Sequence, residues 1–204
     1  MLNKLVLLAM SAFLAVLANP VASVETEVSQ SASNIKGLIQ PLEEWVKKYN
    51  AGELNEAPKE IMLIRYKEHK DKLTLYQAIL NLAERKNTTQ ANEDIKSLIQ
   101  PLEDWVKKYN AGELNEAPKE IMLIRYKEHK DKLTLYHAIL HLAEEKNNTQ
   151  AKEDIRSLIQ PLEEWVKQYK AGERHEADDI ILLARYNKHK DELTLYHAIL
   201  NLFQ

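Results

Sequence analysis

Cysteine is absent, glycine occurs four times and phenylalanine twice in 204 residues. Without cysteine the chain has no disulfide, no thiol nucleophile and no thiolate ligand for zinc, so a small folded unit must be held by apolar packing or by its neighbours. Four unclustered glycines leave no Gly-rich phosphate loop, and no GxSxG nucleophile turn occurs. Neither sign of charge dominates, since 31 acidic residues stand against 28 basic ones and intermix along the chain. No basic stripe marks a nucleic-acid partner, and no polybasic block marks a membrane surface. Carboxylates such as Glu43, Glu44, Glu53, Glu56 and Glu60 fall on polar faces and turns where solvation accounts for them. The chain reads as a non-enzyme with no cofactor.

Long apolar runs are also scarce. The one that occurs, Leu5 to Ala18, follows Lys4 and precedes Pro20-Val21-Ala22-Ser23, a small-residue cleavage pattern. This is the pattern of a secretory signal peptide, and it is short for a bilayer span of ~20 residues. Cleavage after Ala22 or Ser23 is expected to leave a secreted, extracellular chain beginning near Val24, with no integral membrane segment.

What is present is repetition. LIQPLEEW at Leu38 to Trp45 returns as LIQPLEDW at Leu98 to Trp105 and as LIQPLEEW at Leu158 to Trp165, a period of 60 residues. Over 35–80 against 95–140, the first two copies differ only at Gly37/Ser97, Glu44/Asp104 and Gln77/His137. The third copy diverges mainly at polar places: Leu114 corresponds to Arg174, Asn115 to His175, Pro118 to Asp178 and Lys132 to Glu192. Tetratricopeptide repeats have a different period, about 34 residues. The expected organisation is a signal peptide (1–23), a polar N-terminal segment (24–34) and three helical repeats (35–86, 87–146 and 147–204).

Each repeat predicts three helices. Ile35, Leu38, Ile39, Leu42, Trp45, Val46 and Tyr49 follow one another in steps of three and four, which makes a one-sided amphipathic helix A. Its stripe runs unbroken past Pro41, as in a kinked continuous helix, and Gly52 suits a left-handed C-terminal cap. A helix B is expected from about Pro58 to Lys70, and a helix C from about Asp71–Thr74 onward. The apolar residues of B and C spread widely around the wheel, so both want cover on more than one side. The polar stretches Glu84–Asp94 and Glu144–Asp154 read as connectors, with Thr89, Asn92 and Thr149 able to cap the next helix A. The fold class is therefore all-α: three tandem three-helix repeats of about 60 residues in an array or short solenoid, with helix A outermost.

Each connector holds an N-glycosylation sequon, at Asn87 and at Asn147. His137 and His141, four apart, face the same way on a helix and form a weak candidate metal pair, short of a full ligand set. His69, His129 and His189 recur in KEHKD-type segments and suit a solvated helix end. Trp45 and Tyr66, Trp105 and Tyr126, and Trp165 and Tyr186 are candidate partner contacts, set against the simpler role of core aromatics with polar tips at the edge. The leading expectation is a multivalent interaction protein for an extracellular protein or surface-displayed partner. A carrier of lipid or another small apolar ligand is the chief rival, and a structural or abundant secretory-fluid component is the third.

Overall fold

Each 60-residue period contributes two helices. The structure, a computed structural model, describes residues 19–54, 57–114, 117–144, 148–175 and 177–204, with side chains from residue 24 onward. The expected signal peptide falls largely outside the described residues. Among those described there are six helices and no strand: α1 (Asn19–Asn50), α2 (Lys59–Ala83), α3 (Thr88–Asn110), α4 (Lys119–Ala143), α5 (Asn148–Lys170) and α6 (Asp179–Leu202).

The expected helices B and C are one. No break occurs near Asp71, and α2 continues for 25 residues. The stretch Lys67–Lys72 interrupts the apolar run, yet it contains no glycine or proline and its Lys and Glu residues are good helix formers, so the backbone does not break. Helix A behaves as the stripe implies: Pro41, Pro101 and Pro161 lie inside α1, α3 and α5. Its C-terminus ends in a Schellman motif. Gly112, at φ 70°, donates its N–H to the Tyr109 carbonyl at 3.0 Å, while Glu113 N–H reaches the Lys108 carbonyl at 3.0 Å.

Helix A also starts earlier than expected. Most of the polar connector is helical, because α3 begins at Thr88. The one alanine in each connector, Ala91 or Ala151, is fully buried, and Ser31 is 2 % exposed at the matching place in α1. The segment 24–34 is thus helical and packed at this point. Thr89, Asn92 and Thr149 lie within helices and do not cap them. Asn87 is the N-cap of α3, at φ 48°, with no side-chain capping bond.

The six helices close into a ring. Each packs on its sequence neighbours, and α1 packs on α6, so the chain is not an open solenoid. Neighbours are antiparallel, as shown by Trp45 opposite His69 and Tyr49 opposite Tyr66. Helices α2, α4 and α6 are consequently parallel, and they meet about a common axis: Lys188 of α6 pairs at 3.5 Å with Glu128 at the matching position of α4. Six isoleucines, one from each helix, are fully buried: Ile35, Ile79, Ile95, Ile139, Ile155 and Ile199. With Leu75, Leu135 and Leu195 they centre a core shared by all three periods.

Candidate functional site

The apolar residues of the inner helices divide sharply along their length. Every exposed large hydrophobic among the described residues, Val24 aside, lies in the first turns of α2, α4 or α6. They are Ile61, Leu63 and Ile64, then Ile121, Leu123 and Ile124, then Ile180, Ile181 and Leu183. Ile64 is 58 % exposed and Ile180 83 %. At 100° per residue, Ile61 and Ile64 share a helix face with Glu68 and Leu75. Leu75 is buried, so the stripe that meets the axis lower down is uncovered near the N-termini. The helices leave the axis open at this end. The cover that helix B was expected to want is only partly supplied by the chain: Met62, Met122 and Leu182 are buried there, while their apolar neighbours are exposed.

Beside each patch stands a stack of four rings. In the first period Tyr66 stacks on Tyr49 with centroids 4.6 Å apart, Tyr49 on Trp45 at 5.5 Å, and Trp45 meets His69 at 4.4 Å. Tyr126, Tyr109, Trp105 and His129 repeat this arrangement, as do Tyr186, Tyr169, Trp165 and His189. The structure therefore brings together all six candidate contact residues as three Trp/Tyr pairs, each bridged by a tyrosine of helix A. The stacks join the end of one outer helix to the start of the following inner one, and their rings are half-buried. The fourth ring was misplaced by sequence pattern: His69, His129 and His189 are mid-helix and half-buried, not at solvated ends. Burial, with Lys132 adding to it, holds His129 below the usual histidine range. In the third period His189 Nδ1 lies 3.0 Å from Glu192 Oε2, and the Arg174 guanidinium lies 5.4 Å from the centre of the Trp165 ring. Both partners are residues in which this copy departs from the others.

Beneath the open end the axis passes through a charged neck. Asp71, Asp131 and Asp191 are exposed, yet partial burial of the carboxyls raises all three above the ordinary range. Asp71 faces Lys132 and Asp191 faces Lys72, whereas Asp131 faces Glu192. One layer down, Tyr76, Tyr136 and Tyr196 converge. Burial pushes Tyr136 up to about 12, with Asp71 contributing, and raises Tyr76 and Tyr196 further. These hydroxyls stay protonated and serve packing. Sequence pattern missed the neck because a run of charges looks the same on a solvated face as around an axis.

The remaining candidates are dispersed. His137 Nε2 lies 3.4 Å from Glu103, and the matching His197 lies 3.3 Å from Glu163, both on the surface. His141 is exposed one turn beyond, and no group of three or more metal-ligating side chains occurs among the described residues. Asn87 is exposed in the tight connection between α2 and α3, at the end opposite the apolar patches. Asn147 lies outside the described residues. No helix among the described residues is long and apolar enough to cross a membrane. Comparison with protein-family models, with curated proteins and with solved structures returns no match.

Proposed function

We propose that the protein is a secreted, non-catalytic interaction module built of three tandem repeats, and that the open end of the ring is its binding face. The supporting observation is the exposed apolar patch that recurs in α2, α4 and α6. Large exposed apolar groups gathered at one place mark interaction surfaces more often than scattered ones do. The partner is an extracellular protein or a surface-displayed molecule able to meet all three patches. Trp45, Tyr66 and their counterparts act as rigid walls beside the patches, since aromatic stacks present contact area at low entropic cost. A ring holds the three surfaces at fixed spacing, which favours multivalent binding over the behaviour of loosely linked beads. A glycan at Asn87 would sit at the far end and leave this face clear.

The test is capture from the native extracellular fluid by the full chain and by variants with one, two or three patches changed: Ile61→Lys with Ile64→Lys, Ile121→Lys with Ile124→Lys, and Ile181→Lys with Leu183→Lys. Retention of a bound partner is expected to fall at each step, with total gain from linkage of ~10²–10⁴ over one patch. A variant with all three patches changed that retains the same partners as the parent would remove the proposal.

A further inference from the structure

The three apolar patches at the open end lie in the first turns of parallel helices, so they face one way around the ring axis. A partner that covers all three must itself offer apolar surface at three matching places. The open end of a second copy does so, because a twofold axis perpendicular to the ring axis sets one threefold arrangement against the other. The size is also sufficient. At roughly 100 Å² each, the nine exposed isoleucines and leucines of the patches offer on the order of 800–900 Å² per copy, against about 800 Å² that one partner buries in a standard interface. The largest apolar patch of an ordinary monomer is about 300–600 Å².

We propose that the open end pairs with the open end of a second copy of the chain, giving a head-to-head homodimer. The proposal rests on the reading of that end as the interaction face and names its partner. Charge fixes the direction of the twofold. Helices α2 and α4 start with Lys59-Glu60 and Lys119-Glu120, while α6 starts with Asp179-Ile180, and all of these residues are exposed. With the twofold running toward α6, the starts of α2 and α4 face each other across the interface. Lys59 then faces Glu120 of the second copy and Glu60 faces Lys119, and symmetry repeats both pairs. A twofold toward α2 or α4 would instead set Glu120 or Glu60 against Asp179. Helix α6 meets its own copy, and there Ile180, 83 % exposed, replaces the glutamate that the other two starts carry. Two glutamates beside the twofold would repel, whereas two isoleucines cover each other. Asp179, in the first turn of α6, offsets the positive helix ends that meet there.

The test is sedimentation equilibrium of the full chain from about 1 to about 500 µM. A monomer–dimer equilibrium with a dissociation constant of about 10 µM is expected, since exposed ion pairs add little and the cost of association offsets much of the apolar gain. At about 1 µM the chain is then a monomer with its open end uncovered. Lys59→Glu with Lys119→Glu makes both starts acidic, and Glu60→Lys with Glu120→Lys makes both basic. Each variant alone should dimerise at least about tenfold more weakly, and an equimolar mixture should recover the parent's affinity as a heterodimer. Ile180→Glu should weaken the dimer by about tenfold. All these positions are exposed, and circular dichroism checks that each variant keeps its helices. A monomer throughout the range overturns the pairing, as does undiminished dimerisation of either charge variant alone or of the Ile180→Glu protein. The two readings fail separately. If the parent stays monomeric while the variant with all three patches changed loses partners captured from the extracellular fluid, the interaction face stands and the second copy is excluded. A dimer that persists with all three patches changed overturns the pairing through this end.

Discussion

The two halves of each inner helix are similarly apolar in sequence and opposite in fate. In α4, Leu135, Ile139 and Leu142 are buried, whereas Ile121, Leu123 and Ile124 in its first turns are exposed. The charged neck at Asp131 separates the halves. Below it three parallel helices and their outer neighbours leave no large apolar side chain exposed among the described residues. Above it the helix meets its outer partner through the aromatic stack, and Met122 is buried while Ile121, Leu123 and Ile124 are exposed. Hydrophobicity therefore measures a demand for cover, and topology decides whether the chain itself meets it.

The largest test of that contrast is a matched pair of truncations in one helix. Ile139→Ala removes a fully buried side chain from the six-isoleucine layer and should destabilise by about 2–5 kcal/mol. Ile124→Ala, 60 % exposed, should change stability by less than about 0.5 kcal/mol. Urea denaturation followed by circular dichroism measures both. A large loss for Ile124→Ala would mean that the open end is covered in solution by another copy of the chain.

The aromatic stacks come next. Trp105 touches two rings, each contact of this kind contributing about 0.5–1.5 kcal/mol, so Trp105→Ala should destabilise by about 1–3 kcal/mol. The same substitution at Trp165 also removes the face beneath Arg174 and should be slightly more severe. If both proved neutral in denaturation, the stacks would be dispensable for the fold and their role would lie with the partner alone.

Much of this architecture was legible before the structure, and the failures have specific causes. The stripe from Ile35 to Tyr49 and its passage through Pro41 were readable because both are local and periodic. Gly52 was readable because few other residues suit its left-handed turn. Fusion of B and C was not: the residues Lys67–Lys72 supply the solvation of a loop together with the propensity of a helix, and only the latter decides the backbone. The early start of α3 rested on Ala91 alone, a single small residue among polar ones. Closure of the ring depends on α1 meeting α6, a contact between the two ends of the described chain that leaves no local pattern. In the candidate site, the aromatics were visible as types but not as stacks, and the exposure of Ile61 and Ile64 emerged only once their helix face could be followed down to Leu75.

A smaller effect is expected where the outer helix turns into the open half. Gly112 sits at φ 70°, a conformation that strains any residue with a Cβ, although space for one exists. Gly112→Ala should lower stability by about 1–2 kcal/mol through backbone strain alone. Gly112→Asn should recover part of it, since asparagine tolerates the left-handed region better. An equal loss for both would point to a steric cause at the turn.

The neck itself offers the finest distinction, because matching positions carry different charges. Asp71 and Asp131 are both raised by burial, but Asp71 then gains from Lys132 while Asp131 is pushed further by Glu128 and Glu192. A carboxyl raised in the folded state binds its proton more tightly there than in the unfolded chain. Its contribution is fully present below the unfolded value of 3.8 and is lost as pH rises through the folded value. Asp131→Asn removes that loss together with the repulsion from Glu192, so the variant should be more stable than the parent at neutral pH and equal or weaker in acid. Asp71→Asn removes the loss but also the attraction of Lys132, so its gain at neutral pH should be smaller. Urea midpoints across the acid-to-neutral range measure both curves. The reverse order at neutral pH would mean that Lys188, which pairs with both Glu128 and Glu192, already neutralises the acids facing Asp131.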